Sequence, residues 1–279
     1  MPLRICVAGV TGTLGSGVAR AIMDSADLKL VSAVSRKAAG QDVGEAIGRS
    51  KIGVRIESSL EHALRVPTDV LIDYTGPESI KRHTTLALQS GMHVVIGATG
   101  LVAEDYEVLD AIARRHNVGA VTGVFSLIDA LWQRFALEAA EQLHAWEIID
   151  YADARKADSP SGTARELADR LAKTPKLVRP PDQTLGAIEA RGANVSGSQI
   201  HSIRMPGYVF ACEVIFGTPE ERMILRIEQT SQSTCFVEGT LMATRRVGQI
   251  TGLVRGFDRL LFATDGQNEA AARSALPVR

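Results

Sequence analysis

Little in this chain points to an external scaffold, a membrane or a polyanion. Its 279 residues include three cysteines, Cys6, Cys212 and Cys235, which lie far apart without metal-ligand spacing. An odd, scattered set excludes a disulfide framework and fits a reducing compartment. Neither sign of charge is in excess: 31 Lys and Arg against 32 Asp and Glu leave a net charge of -1. No basic run or aromatic-studded cationic stripe appears, so nucleic acid is not an expected partner. No apolar run approaches the roughly 18 residues needed to cross a bilayer, so no membrane partner is expected. An apolar strand begins after four residues, without the positive region and apolar stretch of a secretory signal. The expectation is a cytoplasmic protein acting on something soluble. The six histidines, His62, His83, His93, His116, His144 and His201, also lack metal-ligand spacing and read as surface or packing residues, His201 with the option of lining a substrate sheet; no metal is expected.

What is present is order. Hydrophobic residues make up 45% of the chain, enough for a sizeable core, and the length suits about two domains of roughly 100–200 residues each. Ile5–Ala8, Leu28–Val34, Val70–Ile72, Val94–Ile96 and Gly119–Thr122 read as strands. Between them lie helix-like segments at Leu14–Met23, Glu78–Gln89 and Glu104–His116. Strands apolar on both faces and separated by helices predict a doubly wound parallel sheet covered on both sides. The second half reads differently. A helix over Asp129–Leu143 leads into a strand at Trp146–Tyr151, a polar loop through Ser159-Pro160-Ser161-Gly162 and a helix over Thr163–Leu171. Pro175, Pro180 and Pro181 mark a long loop. Strands follow at Gln199–Arg204, Cys212–Phe216 and Met223–Glu228, the last two joined by a hairpin at Gly217-Thr218-Pro219-Glu220. This predicts a separate α+β domain with an open mixed sheet. Phe236–Leu253 shows helical spacing and is expected to return to the first domain, with a frayed tail after about Ala263. The expected division is 1–125 completed by 236–279, and 126–235.

Gly9, Gly12 and Gly15 follow the first strand and open the first helix. This is a G-x-x-G-x-x-G form of the dinucleotide fingerprint, in a Rossmann strand–turn–helix–strand context. Glycine permits the tight turn and lets backbone N–H groups approach a pyrophosphate, while the helix N-terminus adds partial positive charge. Thr11, Thr13 and Leu14 belong to the same turn. About 20 residues on, where an NAD-binding chain carries an acid for the ribose hydroxyl, this chain has Ser35, Arg36 and Lys37. No carboxylate repels a 2′-phosphate there and two cations attract it, so NADPH is the expected cofactor, with NADH as the alternative. A solvated basic turn is the plainer reading of the same residues.

Further motifs run the length of the chain: Asp73-Tyr74-Thr75-Gly76-Pro77-Glu78, Val95-Ile96-Gly97-Ala98-Thr99-Gly100, Phe125-Ser126, Glu147-Ile148-Ile149, Lys156-Ala157-Asp158-Ser159-Pro160-Ser161-Gly162-Thr163-Ala164, Ile200–Gly207 and Glu213–Gly217. With Val7-Ala8-Gly9 they resemble the dihydrodipicolinate reductase family, the NAD(P)H-dependent enzymes of lysine and diaminopimelate synthesis. The resemblance implies a substrate domain with an open mixed sheet and a homotetramer (or dimer) built through it. It implies that Thr75, the loop of Gly97 and Thr99, and the segment Gly123–Phe125 hold the cofactor. Ser161, Gly162 and Thr163 would bind a substrate carboxylate. A Pro-Ser-Gly-Thr turn entering a helix also offers N–H groups and hydroxyls to an anion on physical grounds, although Ser161 could simply cap the helix.

The chain departs from the family at its chemistry. The usual pair of adjacent histidines before the shared lysine reads Ala152-Asp153, the asparagine before Phe-Ser is Val124, the Gly-Val after it is Ile128-Asp129, and a late arginine is Ser233. Lys156 is the leading catalytic candidate, with Asp153 and Tyr151 beside it. An aspartate can replace a histidine acid only if its environment raises its pKa well above 4. The reading is therefore an NADPH-dependent oxidoreductase that transfers a hydride to a conjugated C=N or C=C bond of a small carboxylated molecule, a cyclic imine, with a changed substrate. The alternatives are a reductase of the family's own substrate and an inactive NADPH-binding sensor.

Overall fold

The structure, a computed structural model, describes residues 1–174, 185–230 and 234–262. The loop expected around Pro175, Pro180 and Pro181, the position of Ser233 and the tail after Ala263 lie outside these residues. In chain order the elements are β1 (Leu3–Ala8), α1 (Thr13–Met23), β2 (Leu28–Val34), α2 (Val43–Ala46), β3 (Ile56–Glu57), α3 (Leu60–Ala63), β4 (Val70–Asp73), α4 (Pro77–Gln89), β5 (His93–Ile96), α5 (Ala103–Arg115) and β6 (Gly119–Thr122). Then come α6 (Leu127–Ala140), β7 (Trp146–Ala152), α7 (Gly162–Leu171), β8 (Ala193–Val195), β9 (Ser198–Arg204), β10 (Phe210–Gly217) and β11 (Arg222–Gln229). The chain closes with α8 (Val237–Arg246), β12 (Gly252–Arg255) and α9 (Phe257–Phe262). Two compact units form, Met1–Leu127 with Ser233–Arg279, and Ile128–Gln232.

The first unit is built on seven parallel strands in the order β12-β6-β5-β4-β1-β2-β3. Its six sequential strands give the 3-2-1-4-5-6 order of a dinucleotide-binding sheet, with the reversal between β1 and β4. The strands are buried because helices cover both faces: Ile5, Cys6, Val7 and Ala8 of β1 and Val70, Leu71 and Ile72 of β4 are at most 1% exposed. Such uninterrupted apolar runs leave no face for water, and only a two-sided cover satisfies them. The helical spacing expected over Phe236–Leu253 is corrected here. The α-helix stops at Arg246, a 3-10 turn follows, and Leu253 lies in β12, paired in parallel with β6. Gly252 turns the chain at φ +98° to begin that strand.

The second unit carries five strands in the order β11-β10-β7-β9-β8, with β7 and β9 parallel and the other neighbours antiparallel. Along β7 burial alternates, with Trp146, Ile148, Asp150 and Ala152 inward. This is the period of a sheet with one covered face. Ile148, Ile200, Val214 and Phe216 form a core with Trp132 and Ala136 of α6 and Leu167 and Leu171 of α7. The other face carries Ile149, Tyr151, Glu213 and Ile215. Among the described residues no helix is long and apolar enough to cross a membrane.

Candidate functional site

Two sets of residues, one in each unit, concentrate the candidate chemistry. In the first unit the register aligns Val34, Ala8, Asp73, Ile96, Thr122 and Arg255 in one row across the sheet. Because all these strands are parallel, the segments that follow the row share the carboxyl edge, which flanks the reversal point where ligands bind in such sheets. Gly9, Thr75, Gly97, Thr99, Gly123 and Ser35 all lie within a few residues of that row.

The glycines are steric requirements. Gly9 adopts φ +80°, and a Cβ there would lie 2.5 Å from the Tyr74 carbonyl oxygen. A Cβ on Gly15 would come within 2.1 Å of the Gly9 carbonyl oxygen, and one on Gly12 within 3.2 Å of the same atom. The Gly12 N–H donates to that oxygen at 2.9 Å, which folds the turn back on itself. Gly9 and Val10 donate to the Val34 carbonyl, and the hydroxyls of Thr11 and Ser35 meet at 2.7 Å. The glycine turn and the end of β2, joined in the sequence reading only by spacing, are therefore bonded together. Arg36 and Lys37 follow, both exposed and outside any ion pair among the described residues. Thr13 and Leu14 begin α1, whose N-terminus lacks a side-chain cap. The first-turn N–H groups are thus free for an acceptor. This set fits a dinucleotide phosphate.

Other predicted positions have structural partners. Thr75 donates through both its N–H and its hydroxyl to Asp73, at 2.8 and 2.6 Å. Asp73 in turn holds the buried His83 ring nitrogen at 2.8 Å, so His83 is a packing residue with a carboxylate partner that its spacing does not disclose. Gly97 lies against the Tyr74 ring, which a Cβ would penetrate at 2.2 Å. Thr99 is exposed. Phe125 is buried edge-on against Phe257, with ring centroids 5.6 Å apart, so its side chain packs rather than faces a ligand. In Gly123–Phe125 the backbone and the part-exposed Val124 side chain remain for a cofactor. Tyr74 shares a hydrogen bond of 2.5 Å with Thr240, and burial pushes its hydroxyl up to about 12.

That shift has a measurable sign. The unfolded chain releases the Tyr74 proton near 10 while the folded chain keeps it, so folding stability falls as pH rises from about 10 to about 12. Burial raises the Cys6 thiol from 9.0 to about 12 in the same way, which starts the decline earlier. Tyr74→Phe is expected to make the alkaline slope shallower, by up to about 2 kcal/mol across the window. Urea titrations from pH 9 to pH 12 measure this; an unchanged slope refutes it.

The second set surrounds the end of β7. Asp150 is fully buried and accepts from the Ser161 N–H at 2.8 Å, the Ser202 hydroxyl at 3.1 Å and Arg204 Nη2 at 2.9 Å. Arg204 also donates to the Asp158 carbonyl at 2.7 Å. None of these three partners of Asp150 was a candidate through Asp150; a lone acid in a strand signals nothing until its neighbours are known. Lys156 Nζ pairs with Asp158 Oδ1 at 2.7 Å. Ser161 is buried, and its hydroxyl accepts from the Ala164 N–H at 3.3 Å, capping α7. Gly162 and Thr163 open α7, and their N–H groups make no hydrogen bond among the described residues.

The other two catalytic candidates are placed differently. Arg155 donates to Asp153 through its backbone N–H at 2.9 Å and through Nε at 2.7 Å, which holds the Asp153 carboxyl below its ordinary value. The raised pKa that an acid role requires is not met: this side chain stays an anion near neutral pH. Tyr151 lies on the sheet face opposite Asp150, where its hydroxyl donates to Glu213 at 3.0 Å under the Arg226 guanidinium. Burial and Glu213 raise its pKa, which suits a structural bond better than proton transfer.

Comparison with known proteins identifies the family. Dihydrodipicolinate reductase, N-terminus, matches residues 3–124, and Dihydrodipicolinate reductase, C-terminus, matches residues 129–261. The chain belongs to the dihydrodipicolinate reductase family. It is thereby a member of a family of nicotinamide-dependent oxidoreductases. Among its relatives, a 4-hydroxy-tetrahydrodipicolinate reductase of Thermosynechococcus vestitus is 35% identical over 269 residues, covering 93% of this chain and 97% of that one. One of Synechococcus elongatus is 36% identical over 271 residues, covering 93% and 99%. A dipicolinate-bound dihydrodipicolinate reductase from Paenisporosarcina sp. TG-14 superposes with a TM-score of 0.81 at 27% identity, covering 93% of this chain and 99% of that one. The reductase family thus accounts for both sheets, the doubly wound parallel one and the mixed one.

Proposed function

We propose that this chain uses NADPH to reduce a conjugated C=N or C=C bond of a small carboxylated cyclic imine, and that its substrate differs from that of its named relatives. One observation carries the second half. Where the family carries histidine, Asp153 stands, fixed as a carboxylate by Arg155. An anion cannot donate the proton that a histidine would, so a substrate whose protonation depends on that donor is no longer served. The glycine turn and the Lys156–Thr163 segment keep the family's residues. Bound nicotinamide supplies hydride chemistry; the protein supplies orientation and charge. Gly9, Gly12, Gly15 and the α1 N-terminus receive the pyrophosphate. Ser35, Arg36 and Lys37 receive the 2′-phosphate, whose negative charge no carboxylate at the end of β2 opposes. The N–H groups of Gly162 and Thr163 receive a substrate carboxylate. Lys156, an ammonium exchanging its Asp158 partner for substrate, neutralises charge or delivers the proton that balances the hydride. The reading includes a cytoplasmic homotetramer or dimer built through the mixed sheet, supported by the cross-strand pair of Ile215 and the exposed Ile224 on its open face, with Ile149 on the same face one row away.

A second reading, reduction of the relatives' own substrate, is favoured by the 35–36% identity over 93% of the chain. Steady-state turnover separates the two. NADPH consumption is followed with dihydrodipicolinate and with a panel of carboxylated cyclic imines. The expected result is a kcat/KM at least about tenfold higher for a panel member, the scale of one mismatched polar contact. Dihydrodipicolinate as the best substrate overturns the claim of a changed substrate. For the cofactor, Arg36→Glu, an exposed change, is expected to weaken NADPH roughly 10–100-fold while leaving NADH affinity nearly constant. Equal loss of both cofactors refutes the 2′-phosphate role.

A further inference from the structure

We infer that the buried pair of Asp150 and Arg204 is a positioning device that fixes both the carboxylate-binding turn and the segment carrying Lys156. The inference rests on the substrate reading above and adds the residues that set its geometry.

The pair joins two strands to one loop. Asp150 comes from β7 and Arg204 from the parallel strand β9. Their bond at 2.9 Å lies among groups that are fully or largely buried, with side-chain exposures of 0% and 16%. From this base each residue reaches into the loop. Asp150 accepts the Ser161 N–H, and Ser161 is the residue whose hydroxyl caps α7. The place where α7 begins, and with it the direction of the Gly162 and Thr163 N–H groups, therefore depends on one carboxylate oxygen. Arg204 donates to the carbonyl of Asp158, whose side chain holds Lys156. One buried pair thus ties down the anion-binding end and the cationic end of the same loop.

Its chemistry is poorly suited to a purely stabilising role. Taking two charges out of water is costly, and a well-packed apolar pair is often as stable. Here the match is incomplete as well. All three side-chain or loop donors converge on Asp150 Oδ2, while Oδ1 of Asp150 and Nε of Arg204 are buried without a hydrogen-bond partner. Buried polar atoms are nearly always satisfied, and exceptions tend to mark a functional constraint. The constraint here is geometric: one oxygen at position 150 receives the Ser161 N–H, Ser202 and Arg204 together.

The test uses the full-length protein with Asp150→Asn, which keeps shape and removes charge, and Arg204→Lys, which keeps charge and removes the fork. The probe is dipicolinate, a planar dicarboxylate, titrated calorimetrically in the presence of NADPH. Both tryptophans, Trp132 and Trp146, lie in the core of the second unit, so their emission reports whether that unit stays folded. Amide hydrogen exchange over 158–164 reports the loop without any ligand. The expected result is native tryptophan emission and unchanged NADPH affinity, with dipicolinate affinity falling roughly 10–100-fold in both variants. Exchange over 158–164 should rise at least about tenfold while Leu167–Leu171 remains protected. Unchanged loop exchange overturns the inference, as does faster exchange with unchanged dipicolinate affinity. A wild type that binds no dipicolinate, with a loop that still loosens in Asp150→Asn, sinks the carboxylate reading itself and leaves the pair only structural.

Discussion

Lys156→Ala is expected to lower kcat/KM for the imine by about 10²–10⁴-fold, the range of a positioned proton donor, with NADPH affinity unchanged. The ammonium is held by one carboxylate, Asp158 at 2.7 Å, and it is about one-third exposed. Arg155 differs in chemistry: its guanidinium, paired with Asp153, retains its proton and cannot deliver one. The substitution should not unfold the loop. Asp158 keeps Arg165 within 4.0 Å, and the loop backbone is held elsewhere, through Ser161 and Asp158 to the Asp150–Arg204 pair. Lys156→Arg separates charge from proton delivery: it should restore much of the substrate KM and little of kcat, since a guanidinium retains its proton. Steady-state kinetics with a parallel NADPH titration measures both. Turnover within a few-fold of wild type in Lys156→Ala removes the lysine from the mechanism.

How far the sequence discloses this arrangement depends on how much signal each element carries in its own residues. The first strand, turn and helix carry three steric demands, at Gly9, Gly12 and Gly15, and each writes a glycine into the chain. The apolar runs of β4, β5 and β6 are equally plain because both of their faces are buried. By contrast, β12 offers only Gly252-Leu253-Val254-Arg255, and a run this short after an amphipathic helix has no period of its own. Its identity as a strand comes from pairing with β6, a partner more than 130 residues away. The same holds for the two-residue β3 and the single turns α2 and α3, which local spacing did not reveal. In the site, the Lys-x-Asp-x-Pro-Ser-Gly-Thr segment is legible because its residues are neighbours. Asp150 and Arg204 are 54 positions apart and become a pair only through the β7–β9 register. Asp153 shows the remaining limit. Sequence poses the question whether its pKa is raised; the answer depends on where the Arg155 side chain goes.

Gly15→Ala is expected to abolish cofactor binding, raising the NADPH Kd by about 100-fold or more, and to cost about 1–3 kcal/mol of stability, the scale of core overpacking. A methyl there would lie 2.1 Å from the Gly9 carbonyl oxygen, 2.8 Å from its carbon and 3.2 Å from the Val10 Cα. All three are backbone atoms, so no flexible side chain can swing aside. Gly9 cannot retreat either. Its N–H is bonded to the Val34 carbonyl at 2.9 Å, its carbonyl accepts from Gly12, and its own Cα faces the Tyr74 carbonyl. The strain must move α1 away from β1, and this opens the turn on which the pyrophosphate rests. Gly217→Ala provides the contrast: nothing lies within 4 Å of its added Cβ, so it should change stability by less than about 0.5 kcal/mol and leave the NADPH Kd alone. Chemical denaturation and cofactor titration of the two variants decide the matter. Tight NADPH binding by Gly15→Ala would mean that the dinucleotide does not lie on this turn, and the cofactor assignment would fall with it.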